Sequence, residues 1–190
     1  MDLEYIESKV FKTENFTESA LPKAEYDTCH FEDCTFTGAS LSGITFAECE
    51  FRNCDLSNVQ LKGTTFREVS FHNCKLLGLR FDECDPFLLS FNFDDCILNF
   101  SFFYKLKLKG IRFINCKLQE VDFSEANLMR ANFHNSDLGG AIFDNTNLAN
   151  ADMQTAYNFS IDPERNQLQK SKFSGENIKG LLDKYKLIIK

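Results

Sequence analysis

Large apolar residues recur at every fifth position along most of this chain, and that period decides what it can fold into. From Phe16 the series runs without exception through Leu21, Tyr26 and Phe31 to Phe81. It slips by two residues near Asp85-Pro86, resumes at Leu88 and ends at Met153, with fourteen positions on each side of the slip. A helix needs apolar residues three and four apart, and a half-buried strand needs strict alternation. A period of five fits neither. Two residues before most of these apolar positions the chain is small or compact: Cys29, Cys34, Ala39, Cys54, Val59 and Thr64 early, Ser101, Ala126, Ala131 and Ala151 later. All eight Cys occupy this one position in five, a placement that chance would give roughly once in 400,000.

Two inward side chains two apart describe a short extended side, and the remaining residues must turn a corner. The corner chemistry is visible two residues after the large apolar position. Gly38, Gly43, Gly63, Gly78, Gly110 and Gly140 stand there, as do Asp33, Asn53, Asn73, Asp95, Asn115, Asn135 and Asn145. Gly, Asn and Asp are the residues that accept a positive φ, so the chain is expected to turn at each of them.

Stretches such as Cys34-Thr35-Phe36-Thr37-Gly38, Ala126-Asn127-Leu128-Met129-Arg130 and Ala131-Asn132-Phe133-His134-Asn135 resemble the pentapeptide-repeat family, in which a small residue, a polar one, Leu or Phe and two polar ones repeat. The resemblance covers about residues 16–153. It implies an all-β solenoid, a right-handed quadrilateral β-helix with four repeats per coil. Twenty-eight repeats would then make about seven coils, a rod roughly 34 Å long. Residues twenty apart would stack: Phe31 with Phe51 and Phe71, Phe103 with Phe123 and Phe143, and Cys34 with Cys54 and Cys74.

The organisation expected is an N-terminal cap over residues 1–15, the solenoid over 16–157, and a C-terminal segment over 158–190. The pattern breaks at Ile161-Asp162-Pro163. Beyond it Ile178, Leu181, Leu182 and Tyr185 have helical spacing, which predicts a short amphipathic helix from about Ser174 to Tyr185, followed by a brief strand at Leu187-Ile188-Ile189. This tail either caps the last coil alone or also joins two chains. The quinolone-resistance members of the family, Qnr and MfpA, are similar in layout. They place a helical segment after the coils and dimerise through it tail to tail. That resemblance implies a homodimer about 70 Å long, with Ile178, Leu181, Leu182, Tyr185, Leu187 and Ile189 as the candidate contacts. In those members the acidic rod is proposed to mimic duplex DNA on DNA gyrase. The slip near Asp85-Pro86 adds too few residues for the long loops that some Qnr proteins use, which MfpA-like members lack.

Twenty-eight carboxylates face 21 Lys and Arg, a formal net charge of −7. This argues against binding nucleic acid by neutralising phosphates. The charge is uneven: residues 1–95 carry 18 acids and 8 bases, whereas 96–119 carry no acid and five cations, Lys105, Lys107, Lys109, Arg112 and Lys117. Glu32, Asp33, Glu48, Glu50, Asp55, Asp82 and Glu83 form the candidate acidic face for a partner. No apolar run is long enough to span a membrane. The acidic start Met1-Asp2-Leu3-Glu4 lacks signal-peptide character, so a cytoplasmic chain with reduced thiols is expected. The three His, at 30, 72 and 134, are expected to point outward in different coils, and the thiols inward as small hydrophobes, so no metal and no cofactor is expected. Nothing in the pattern encloses a pocket where an acid and a base could be tuned, so an enzyme is not expected either. Two functions stay open: a DNA mimic that binds gyrase or topoisomerase IV, and a scaffold with an unrelated protein partner.

Overall fold

The computed structural model describes residues 4–188. Ten short strands follow one another: β1 (Glu4–Glu7), β2 (Val10–Lys12), β3 (Ala24–Asp27), β4 (His30–Glu32), β5 (Thr45–Ala47), β6 (Glu50–Arg52), β7 (Thr65–Arg67), β8 (Val69–His72), β9 (Phe91–Asp94) and β10 (Phe113–Ile114). Every pairing is parallel. The order β1-β3-β5-β7 makes the first side of a four-sided solenoid, and β2-β4-β6-β8-β9-β10 makes the second. The third and fourth sides are held by parallel bridges, such as Asn15–Thr35–Asp55–Lys75–Ile97–Lys117–Asp137–Tyr157 and Arg80–Phe102–Asp122–Ile142. The register is twenty residues, as in Phe31↔Phe51, and twenty-two in the one coil where Phe71 pairs with Phe93; the pairing reaches from Glu4 to Lys172.

The corners lie where the sequence put them. All thirteen Gly, Asp and Asn positions named above have φ between 52° and 79°. Less suited residues take the same conformation because the coil imposes it, among them Glu48, Phe100, Glu120 and Arg130.

Inside, the large residues stack in columns. Phe31 lies 4.6 Å from Phe51 and Phe51 5.0 Å from Phe71, with their ring planes nearly parallel. Phe103, Phe123 and Phe143 repeat the arrangement at 5.3 Å. Neighbouring columns meet edge to face, as in Phe46 against Phe51. Offset stacks and T-shaped contacts are the favoured aromatic geometries, so one packing fills the whole interior.

The small position has a second duty. The corners after Tyr26, Phe31 and Phe51 lack a closing i→i+3 backbone bond. Their carbonyls accept instead from Cys49, Cys54 and Cys74 of the next coil, at 3.3–3.4 Å. Ser101 goes further: its oxygen donates to Leu76 O at 2.8 Å and accepts from Leu79 N at 3.2 Å, inserting itself into the corner. Small size is needed throughout, and a donor serves where the corner lacks a backbone bond. Ala126 and Ala131 lie over corners already closed by Leu106 N to Phe103 O and Ile111 N to Leu108 O.

Two expectations change. The phase does not resume at Leu88. Asp85–Ser90 take the place of four residues, Thr65–Glu68, in the coil below, and the second side re-engages with Phe71 opposite Phe93. Pro86 has no amide for the ladder, and the Asp85 carboxylate accepts from Phe87 N at 2.8 Å, closing a tight turn. Leu88 is thereby thrown outward, 62% exposed at φ 56°. Phe91 fills the space it leaves, packed 5.1 Å from Phe81 and 6.1 Å from Phe66.

The C-terminal helix and strand are also corrected. Residues 178–185 form two single turns of 3₁₀ helix, Ile178–Leu181 and Asp183–Tyr185, and no strand forms at Leu187-Ile188; Ile189 lies outside the described residues. Tertiary bonds outcompete the helix. Asn177 Nδ2 donates to Met153 O and Ala156 O, and Gly180 O accepts from Ile161 N. The tail therefore follows the square end of the coil.

Before that tail the repeat returns, which sequence reasoning missed. Asn166 Nδ2 donates to Phe143 O at 3.0 Å and Ser171 Oγ to Leu148 O at 2.7 Å, both from the small position, with Leu168 and Phe173 as the large residues. The phase is that of Met153 throughout; Asn158 and Pro163 at the large positions and Asn166 at a small one hid the signal, with Phe159 and Ile161 buried in their place.

Candidate interaction surface

The functional surface of such a rod is its outside, so each expected residue has to be placed by side and by partner. The seven acids do not share one face. Glu32 and Glu50 stand on the second side, Asp55 on the third and Asp82 on the fourth; Asp33, Glu48 and Glu83 are at or beside corners.

Most of them already have partners within the chain. Glu32 binds Lys12 at 3.0 Å. Asp82 holds Arg80 through two bonds of 2.9 and 2.7 Å. Asp55 accepts from Ser57 N at 3.0 Å and lies 4.0 Å from Lys75. Asp33 starts an amide ladder, accepting from Asn53 at 3.0 Å while Asn73 donates to Asn53 at 2.9 Å. Glu48 and Glu83 are exposed and without an ion pair among the described residues.

Glu50 is the most constrained. Its carboxylate contacts Arg52 at 2.6 Å and both His30 Nδ1 and His72 Nε2 at 3.2 Å. Partial burial pushes its pKa up, but the Arg52 bond and charge and the two imidazoles outweigh this and leave it below the usual carboxylate range. The sequence placed these His outward in different coils. The register puts them on either side of one carboxylate. Among the described residues no group of three His, Cys, Asp or Glu is arranged to hold a metal ion.

The eight thiols are buried and unpaired. Burial pushes Cys34 up to about 11 and Cys49 up to about 12, so neither is a thiolate near neutral pH.

Comparison with known proteins agrees with this geometry. A model of the pentapeptide repeat region matches residues 85–153, and a model of eight pentapeptide repeats matches 29–67 and 49–85. This chain is a pentapeptide-repeat protein. No curated protein sequence matches it. Among solved structures, this pentapeptide-repeat protein is similar to a trypsin-treated form of QnrB1, a plasmid-mediated fluoroquinolone resistance protein, at 15% identity and a TM-score of 0.59, over 96% of this chain and 99% of that one. It is also similar to HetL, a pentapeptide-repeat protein involved in heterocyst differentiation regulation in the cyanobacterium Nostoc, at 16% identity and a TM-score of 0.68, over 92% and 88% of the two chains. At these identities the likeness is one of fold.

At the C-terminal end the candidate contact residues divide. Leu181 packs on the protein's own core and Leu182 is half-buried, whereas Ile178, Tyr185, Leu187 and Ile188 are exposed. Lys184 holds the tail down, 2.7 Å from Asp162 and 2.8 Å from Glu164, and Tyr185 donates to Glu164 at 3.1 Å. Between tail and last coil runs an open groove of about 840 Å³, lined by Gln154–Phe159 and parts of 174–183.

Proposed function

We propose that this pentapeptide-repeat protein is a protein-binding rod and not an enzyme. The observation that carries the reading is the distribution of chemistry: inward positions hold apolar side chains, thiols, hydroxyls and the Asn166 amide, and the carboxylates and cations lie outside them. Of these charged groups Asp137 alone is buried among the described residues, bonded to Gln119, Gly139 N and Asn158. A tuned acid–base pair needs a desolvated pocket, whereas a regular outer surface suits an extended partner.

The leading partner is a bacterial DNA gyrase or topoisomerase IV, met in the cytoplasm through the acidic N-terminal half, which stands in for duplex DNA. The net charge of that half, the unpaired Glu48 and Glu83, and the fold shared with QnrB1 support it. A tail-to-tail dimer would double the rod, with Ile178, Tyr185 and Leu187 nearest the junction. A second reading, a scaffold for an unrelated protein, is favoured by the internal neutralisation of Glu32, Glu50 and Asp82 and by the fold shared with HetL.

Gyrase supercoiling, titrated with the protein in the presence and absence of ciprofloxacin, separates the two. Inhibition or drug rescue near stoichiometric amounts supports the DNA mimic. No effect at large excess, with the rod folded, leaves the scaffold.

A further inference from the structure

The bulge at Asp85–Ser90 interrupts the solenoid and turns two adjacent large apolar side chains outward. Phe87 is 70% and Leu88 62% exposed, side by side on the first side of the rod. Directly above them the next coil presents Lys107 and Lys109, which flank the buried Leu108 and point outward. Leu89 and Ser90 share a cleft of about 120 Å³ with these two lysines.

This coil is also where the ladder fails. Lys107 bridges Asn127 above but nothing below, whereas Lys117 on the third side bridges both Ile97 and Asp137. Three of the cations here are unused: Lys105 lies 3.5 Å from Glu125, but Lys107, Lys109 and Arg112 have no carboxylate in ion-pair range among the described residues.

We infer that the bulge and the lysine shelf form a docking surface for an extended acidic segment of a protein partner, with an apolar side chain of that segment set against Phe87 and Leu88. The spacing carries this. Lys107 and Lys109 sit two residues apart on an extended side, about 6–7 Å, the same interval that separates alternate carboxylates on an extended peptide. Exposed aromatic anchors beside matched charge are the usual make-up of a contact centre. An anionic membrane presents the same charge, but as a plane. It would press on Glu68, Glu83 and Asp85 around the bulge and on the acidic coils below, where a narrow peptide would not. The surface lies where the acidic half gives way to the cationic coil, and its partner chemistry goes beyond the gyrase reading.

The test uses the full-length protein and a short fluorescein-labelled peptide that alternates Glu with Phe or Leu, followed by anisotropy. Saturable binding is expected, absent for the same peptide with Gln in place of Glu. It should weaken by about tenfold or more in Lys107→Glu/Lys109→Glu and in Phe87→Ser/Leu88→Ser, and stay unchanged in Lys170→Glu, a cation at a distant corner. Circular dichroism of each variant checks the fold, and these exposed positions leave the core untouched. Absent binding, or equal binding by the Lys107→Glu/Lys109→Glu protein, overturns the inference. So does co-sedimentation with phosphatidylserine vesicles by a protein that ignores the peptide.

Discussion

At the residue scale the molecule rests on two inward positions with different physics. The large one is a stacking site. Phe123 touches Phe103 and Phe143 in its own column and Phe113 and Phe133 across the interior. Truncation of a fully buried ring leaves a cavity that stacked coils cannot close, so Phe123→Ala should lower unfolding stability by about 3–5 kcal/mol, measured by chemical denaturation. The small one is a hydrogen-bonding site as much as a steric one. Ser101→Ala removes hardly any volume but strands Leu76 O and Leu79 N in the interior, and should cost about 1–3 kcal/mol in the same measurement. The size requirement was legible in the sequence. The hydrogen-bonding one was not, because the acceptor lies 23 residues away from the Cys or Thr that meets it, as in Cys54 to Phe31.

Among the elements, the strands repeat one another and the C-terminal tail is the exception. Its helical spacing was real, yet a helix needs its carbonyls for i→i−4 bonds, and Gly180 O is taken by Ile161 N. A Cβ at Gly180 would stand 2.4 Å from Phe159 O, so backbone meets backbone there. Gly180→Ala should therefore lift the tail from the last coil, read as faster hydrogen exchange and earlier proteolysis over residues 174–188 while the coils stay protected. Acid should do the same. Lys184 holds Asp162 and Glu164 below their usual range, so their contribution is present above the ordinary carboxylate pKa and is lost as pH falls through the depressed values. Lys184 is raised in turn by Asp162 and Glu164. Its contribution is complete below the ordinary lysine value and fades as pH climbs through the raised one. Tail protection measured against pH should thus plateau between these limits. Lys184→Ala should weaken its acid dependence, leaving what the Tyr185 bond to Glu164 and the backbone bond to Asp162 supply.

For the whole molecule, a solenoid leaves one open coil at each end, and the two ends are treated differently. The N-terminal end carries Glu4, Lys9 and Glu14 at the small positions, with Lys9 laid over the Phe11 ring at 4.6 Å. Charge at an open edge discourages another chain from continuing the stack. The C-terminal end instead exposes Ile178, Tyr185, Leu187 and Ile188. Association should therefore occur tail to tail: light scattering after gel filtration is expected to give a dimer, and Tyr185→Ser/Leu187→Ser a monomer with unchanged secondary structure. A monomeric parent protein would remove the dimer from the proposed function.

The sequence by itself determined the five-residue period, the inward Phe and Cys columns, and the thirteen Gly, Asn and Asp corners named from it, because burial and turning are settled within a few residues. Tertiary structure decided the rest. Whether Glu50 is free or clamped depends on which coil His30 and His72 land beside, and that register is set by pairing twenty or twenty-two residues away. The outward throw of Leu88 and the unwinding of the tail have the same origin. In each, a local preference competes with a bond or a cavity supplied by another coil, and the strength of that competitor is fixed only when the coils stack.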